Sequence, residues 1–155
     1  MTVQRMDHVG IVVDDLPAAT EFFAELGFEL LGEMAVEGRL VDLIVGLDGV
    51  RTDAAMMQTP DGHGRLELIK FRSPSHAGEP GHEPANSPGI RHIAFAVDDI
   101  DAAVAGLQVR GAELIGEVVR YGNSYRLCYV RGPAGIIVEL AEQIGRSSGS
   151  GPVTA

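Results

Sequence analysis

HVGIVVDDLPAATEFFAELGFELLGE, residues 8 to 33, aligns without a gap with HIAFAVDDIDAAVAGLQVRGAELIGE, residues 92 to 117, when the chain is laid over itself at an offset of 84. Of the 26 aligned pairs 11 are identical, among them His8/His92, Asp14/Asp98, Asp15/Asp99, Gly27/Gly111 and Glu33/Glu117. Self-similarity of that extent marks a tandem repeat of one supersecondary unit. A later segment matches as well: RLELIKF at 65–71 lies over IVELAEQ at 137–143 at an offset of 72, with Glu67 facing Glu139. The two offsets differ by 12, so the first copy carries 12 residues more than the second between its matched segments.

Each copy has the same local grammar. Residues 8–13 and 92–97 are β-branched or apolar runs that suit strands. Asp14-Asp15 and Asp98-Asp99 offer side-chain acceptors to the free N–H groups of a helix start, and Pro17 is tolerated in a first turn. Leu16, Ala19, Phe22, Phe23 and Leu26 recur at helical spacing, as do Ile100, Ala103, Val104 and Leu107, which gives each helix one apolar stripe to lay on a sheet. Gly27 and Gly111 stand where a helix needs a left-handed terminator. FELLGEMAV and AELIGEVV read as second strands, DAAMMQT at 53–59 and YRLCYVR at 125–131 as third strands, and the runs around Glu67 and Glu139 as fourth strands. PDGHG at 60–64 and GPAG at 132–135 are the hairpins between them.

The expected fold is therefore α+β: two tandem βαβββ modules whose curled mixed sheets form a shared cleft. The modules are placed at 1–71 and 91–144, with a Pro/Gly/Ser-rich linker at 72–90 and a disordered tail at 145–155. RLVDLIVGLDG at 39–49 has no counterpart of equal length in the second copy and is read as the insertion, a short helix or a loop lining the cleft.

Composition narrows the function. A chain of 155 residues with 45% hydrophobic and 22% charged content can bury a core without a covalent staple. The single cysteine, Cys128, excludes an intrachain disulfide and a cysteine-rich metal site. A net charge of -10 with no cluster of Lys and Arg argues against nucleic acid as a partner and in favour of a small molecule. No run is apolar enough to span a bilayer, and MTVQRMDHVG lacks a basic-then-apolar leader, so a cytoplasmic protein is expected.

Strand parity decides which side chains share a face. His8 goes with Gly10 and Val12, and His92 with Ala94 and Ala96, leaving the bulkier alternate residues to pack under the helices. Leu66 and Leu68 oppose Glu67, and Val138 and Leu140 oppose Glu139, so both acids lie on the face away from the helix. Two imidazoles and two carboxylates form a mixed nitrogen and oxygen set suited to Zn, Ni, Co, Fe or Mn, with positions left for water or substrate. A lone strand histidine or glutamate is ordinarily a solvated residue; the recurrence of both in both copies points to His8, Glu67, His92 and Glu139 as metal ligands. His63, His76 and His82 fall in turn or linker sequence and are read as solvated.

DHVGIVVDDL, RLELIKF, GIRHIAFAVDDIDAAVAGLQVRGAEL and GPAGIIVEL together resemble the vicinal oxygen chelate superfamily over residues 5–143. That superfamily includes glyoxalase I, methylmalonyl-CoA epimerase, extradiol dioxygenases, fosfomycin-modifying enzymes and bleomycin-binding resistance proteins. The resemblance implies metal ligands at the first-strand histidine and fourth-strand acid of each module, hence His8, Glu67, His92 and Glu139. The set is similar to that of bacterial-type glyoxalase I, which makes Glu139 a candidate base, and the family implies a homodimer. Methylmalonyl-CoA epimerases tend to carry Gln where this chain has Glu67.

One scaffold serves several chemistries, so the resemblance by itself does not select a reaction. The leading expectation is a lyase, isomerase or epimerase that abstracts a proton beside a carbonyl of a small substrate. An alternative is sequestration of an antibiotic or natural product, with Met56, Met57, Phe71, Tyr125, Cys128 and Tyr129 as pocket or core positions. A third is Fe(II)-dependent ring cleavage using His8, His92 and Glu139, against which the second carboxylate counts.

Overall fold

Asp15 and Asp99, the second member of each aspartate pair, are the helix N-caps: their side chains accept from Ala18 N at 3.0 Å and Ala102 N at 2.9 Å. The helices so begun, α1 (Leu16–Glu25) and α3 (Ile100–Val109), end before Gly27 and Gly111, whose φ of 92° and 87° are the left-handed values that glycine accommodates. Both helices follow a strand, β1 (Val9–Val12) and β5 (His92–Val97). His8 therefore lies one residue ahead of its strand, where sequence periodicity had it inside.

The computed structural model describes residues 2–78 and 81–145 and divides the chain into two units, Met1–Pro80 and Gly81–Ala155. In the first, α1 is followed by β2 (Glu29–Glu37), α2 (Arg39–Val45), β3 (Arg51–Gln58) and β4 (Arg65–Ser73). The sheet order is β1-β4-β3-β2, with β1 parallel to β4 and the other pairs antiparallel. In the second, α3 is followed by β6 (Glu113–Tyr121), β7 (Tyr125–Arg131) and β8 (Ile137–Gln143), ordered β5-β8-β7-β6 with the same alternation of sense. Two four-stranded mixed sheets, neither closed, are the βαβββ modules expected. The insertion at 39–49 is mostly the short helix α2, held at its end by Asp42, whose carboxylate accepts from Gly49 N and Val50 N. The tail beyond Gly145 falls outside the described residues.

The first core is aromatic. Phe23 is wholly buried and meets Phe22 and Phe28 edge to face at centroid distances of 5.1 and 5.5 Å, a geometry favoured by the ring quadrupoles. Ile11, Val13, Leu66 and Leu68 complete it from the sheet. The second core is aliphatic, built on Ile100, Val104, Leu107, Val130, Val138 and Leu140. Arg126 ties the start of α3 to the second sheet: it donates to both Asp101 oxygens at 2.8 Å and to Glu142, which itself accepts from Ile100 N. Among the described residues no helix is long and apolar enough to cross a membrane.

Candidate metal centre

Parallel pairing of β1 with β4 sets Glu67 beside Gly10, and pairing of β5 with β8 sets Glu139 beside Ala94. In the first unit His8 Nε2 stands 3.1 Å from Glu67 Oε2; in the second His92 Nε2 stands 3.2 Å from Glu139 Oε2. Two ligands each about 2.0–2.2 Å from one ion, at tetrahedral or octahedral angles, are about 3.0–3.5 Å apart. Both pairs have that spacing.

Burial separates the two acids. The Glu67 side chain is 28% exposed, whereas that of Glu139 is 3% exposed. Glu139 Oε2 is buried and has no hydrogen-bond partner, despite the nearby imidazole. A carboxylate oxygen withdrawn from water without a donor is costly, and Glu139 Oε2 is in that position. The donor set, an imidazole nitrogen with a carboxylate oxygen in each unit, fits a borderline divalent ion. Among the described residues no three His, Cys, Asp or Glu side chains gather into a metal cage; His8 meets Glu67 and His92 meets Glu139, pair by pair. His63, His76 and His82 belong to neither pair.

The other ring nitrogens differ between the units. His8 Nδ1 is 2.8 Å from Asp7 Oδ2, and Asp7 also accepts from Arg5 at 3.2 Å. The hydrogen bond to His8, then that to Arg5, holds the Asp7 carboxyl below its ordinary range. His92 Nδ1 is 3.4 Å from the Tyr129 hydroxyl, with the two rings 5.2 Å apart and tilted by 35°. Tyr129 is the cross-strand partner of Glu139; burial, then the Glu139 charge, raises its phenol above the ordinary value. Asp7 went unnoticed in sequence because it lies outside the repeat, where Arg91 is its counterpart at the same offset. The acid immediately before the histidine was the available signal.

Several sequence candidates are structural. Met57 and Cys128 are buried in the cores, and burial pushes the Cys128 thiol up to about 11, so it is no nucleophile. Met56 is the partner of Glu67 across β3 and β4 and is half-buried. A cavity of ≈ 570 Å³ in the first unit, lined by Asp14, Asp15, Glu33, Asp53 and Lys70 among others, includes neither His8 nor Glu67. Two of its acids have local duties, Asp15 as the α1 cap and Asp53 as the partner of Arg72.

Residues 5–140 match the model of the Glyoxalase/Bleomycin resistance protein/Dioxygenase superfamily. The chain is 31% identical to YaeR of Escherichia coli strain K12 over 144 residues, covering 91% of this chain and 98% of YaeR. A crystal structure of a glyoxalase family protein from Bacillus cereus superposes with a TM-score of 0.89 at 46% identity, covering 94% of this chain and 97% of that one. A mutant of the fosfomycin resistance protein FosX from Listeria monocytogenes, in complex with Mn(II) and 1S,2S-dihydroxypropylphosphonic acid, has a TM-score of 0.60 at 15% identity, covering 94% and 93%; it shares the fold.

Proposed function

Because the chain belongs to the glyoxalase/bleomycin resistance protein/dioxygenase superfamily, the vicinal oxygen chelate family, we propose that it is a metal-dependent lyase, isomerase or epimerase that removes a proton beside the carbonyl of a small substrate. His8, Glu67, His92 and Glu139 are the proposed ligands of a divalent ion, one of Zn, Ni, Co, Mn or Fe. The observation that carries this reading is the buried, unpartnered Glu139 Oε2 at 3.2 Å from His92 Nε2. A divalent ion, when bound, supplies Lewis acidity toward a carbonyl oxygen. Glu139 is the proposed base: its burial keeps bulk water from competing for the substrate proton, and β8 holds its carboxylate in place between Ala94 and Tyr129. A homodimer in the cytoplasm is part of the same proposal.

The test combines metal analysis with solvent exchange. After reconstitution with Ni, Co, Zn or Mn, the protein should hold the ion stoichiometrically and exchange deuterium into small 2-hydroxy or 2-oxo carbonyl compounds. Glu139→Gln should abolish exchange with the fold retained. A protein that binds none of these ions, or exchange undiminished in the variant, overturns the reading. Tight capture of a natural product in the presence of EDTA would instead assign a sequestering protein, and oxygen uptake with catechols under Fe(II) a ring-cleaving one.

A further inference from the structure

Each histidine of the candidate centre has its Nδ1 against an oxygen of its own unit, but the oxygens differ in kind. Asp7 is a carboxylate at 2.8 Å from His8; Tyr129 is a phenol at 3.4 Å from His92. An ionised carboxylate only accepts, so the proton between Asp7 and His8 belongs on Nδ1. A neutral imidazole carrying its proton there has its lone pair on Nε2, which is the atom facing Glu67 Oε2 at 3.1 Å. Two lone pairs at that distance repel unless a cation lies between them. A phenol can accept or donate, and at 3.4 Å it holds His92 weakly either way.

We propose that Asp7 is a positioning residue that locks His8 in the Nδ1–H tautomer and so offers Nε2 to the metal, while Tyr129 gives His92 only a loose counterpart of that lock. The inference rests on the metal reading for its purpose but not for its proton position, which is a property of the metal-free protein. It makes the two ligands unequal: His8 is pre-set by charge, whereas His92 takes its tautomer from the ion that binds it. Partners of this outer kind fix ring orientation as well as the proton. Asp7 precedes β1 and its side chain is 60% exposed, so its removal leaves both cores intact.

The decisive experiment reads the imidazole nitrogens directly. In nitrogen-15 spectra of the full metal-free chain, at a pH where each ring carries one proton, His8 should show a protonated Nδ1 and an unprotonated Nε2. Asp7→Ala should convert His8 to a mixture of tautomers, and Asp7→Asn, whose amide oxygen still accepts, should restore most of the Nδ1–H form. Tyr129→Phe should shift His92 and leave His8 unchanged. Titration with Co or Zn should then show about a 10-fold loss of affinity in Asp7→Ala, the low end of the range for outer partners because the aspartate is solvated, and a smaller loss in Tyr129→Phe. A His8 that carries its proton on Nε2 in the unsubstituted protein, or keeps its spectrum unchanged in Asp7→Ala, overturns the proposal. Failure of the unsubstituted protein to bind any ion overturns the metal reading alone, since the tautomer result is obtained without metal.

Discussion

Glu139 Oε2 lies 3.2 Å from His92 Nε2 and takes no hydrogen bond, although the Glu139 side chain is only 3% exposed. A buried carboxylate oxygen without a donor carries a desolvation cost, and that cost has measurable consequences.

Glu139→Gln should stabilise the metal-free protein by about 1–3 kcal/mol, the ordinary cost of a buried polar group without a partner. It should at the same time remove the stabilisation that metal confers. For the unsubstituted chain, free ion at about 100 times its dissociation constant adds about 2.7 kcal/mol, which corresponds to a rise in Tm of roughly 5–10 °C for a chain of this size. Calorimetry with and without added Co or Zn measures both effects. A variant that loses stability when metal-free, or that keeps the full metal-induced rise, contradicts the assignment.

Cys128 gives stability a dependence on alkaline pH. Burial raises its thiol from the ordinary 9.0 to about 11, so between those values the unfolded chain has released a proton that the folded chain still holds. Fewer protons are bound in the unfolded state, and stability falls as pH rises, by about 1.4 kcal/mol per unit across that window. Below pH 9 this contribution is fully present. Urea denaturation at pH 8, 9.5 and 10.5 should show a steeper decline in the parent than in Cys128→Ala. The native thiol should also react with iodoacetamide only as fast as the chain opens.

Phe23→Ala removes the ring at the centre of the Phe22, Phe23 and Phe28 cluster, where no exposure remains. The expected loss is about 3–5 kcal/mol, since the surrounding rings relax only partly into the cavity. Equilibrium unfolding measures it. A loss below about 1 kcal/mol would mean that the first core is looser than its packing implies.

Asp15→Ala and Asp99→Ala each delete one helix cap, and each should cost about 0.5–2 kcal/mol. The two caps have nearly the same length, 3.0 and 2.9 Å, so the two losses should be alike. Hydrogen exchange at the capped N–H groups of Ala18 and Ala102 should quicken in the corresponding variant only.

Sequence legibility followed periodicity. The alternation along 8–13 and 92–97, the aspartates before each helix and the glycines after it specify elements through neighbours a few residues apart, and the observed strands and helices follow them to within about two residues, inside the usual spread of boundary assignments. The match of Glu67 with Glu139 was legible because strand parity assigns a face to every residue once the core side is known. Tyr129 was not legible as the partner of His92, whereas Asp7 stands next to His8 in the sequence and only the repeat passes over it. Neither repeats between the modules: Arg91 stands where Asp7 would recur, and Tyr129 comes beside His92 through the register of β7 on β8 and of β8 on β5.

By itself, the sequence determined two copies of a βαβββ module, the order of their elements, and the sheet face on which one histidine and one glutamate of each copy lie. Only the tertiary structure decided that Glu139 is nearly sealed from water while Glu67 is not, and that a tyrosine attends His92. The reason is that face and element are local properties of a chain. Burial and hydrogen-bond partnership depend on strands far apart in sequence, such as β5 and β8, meeting in one register.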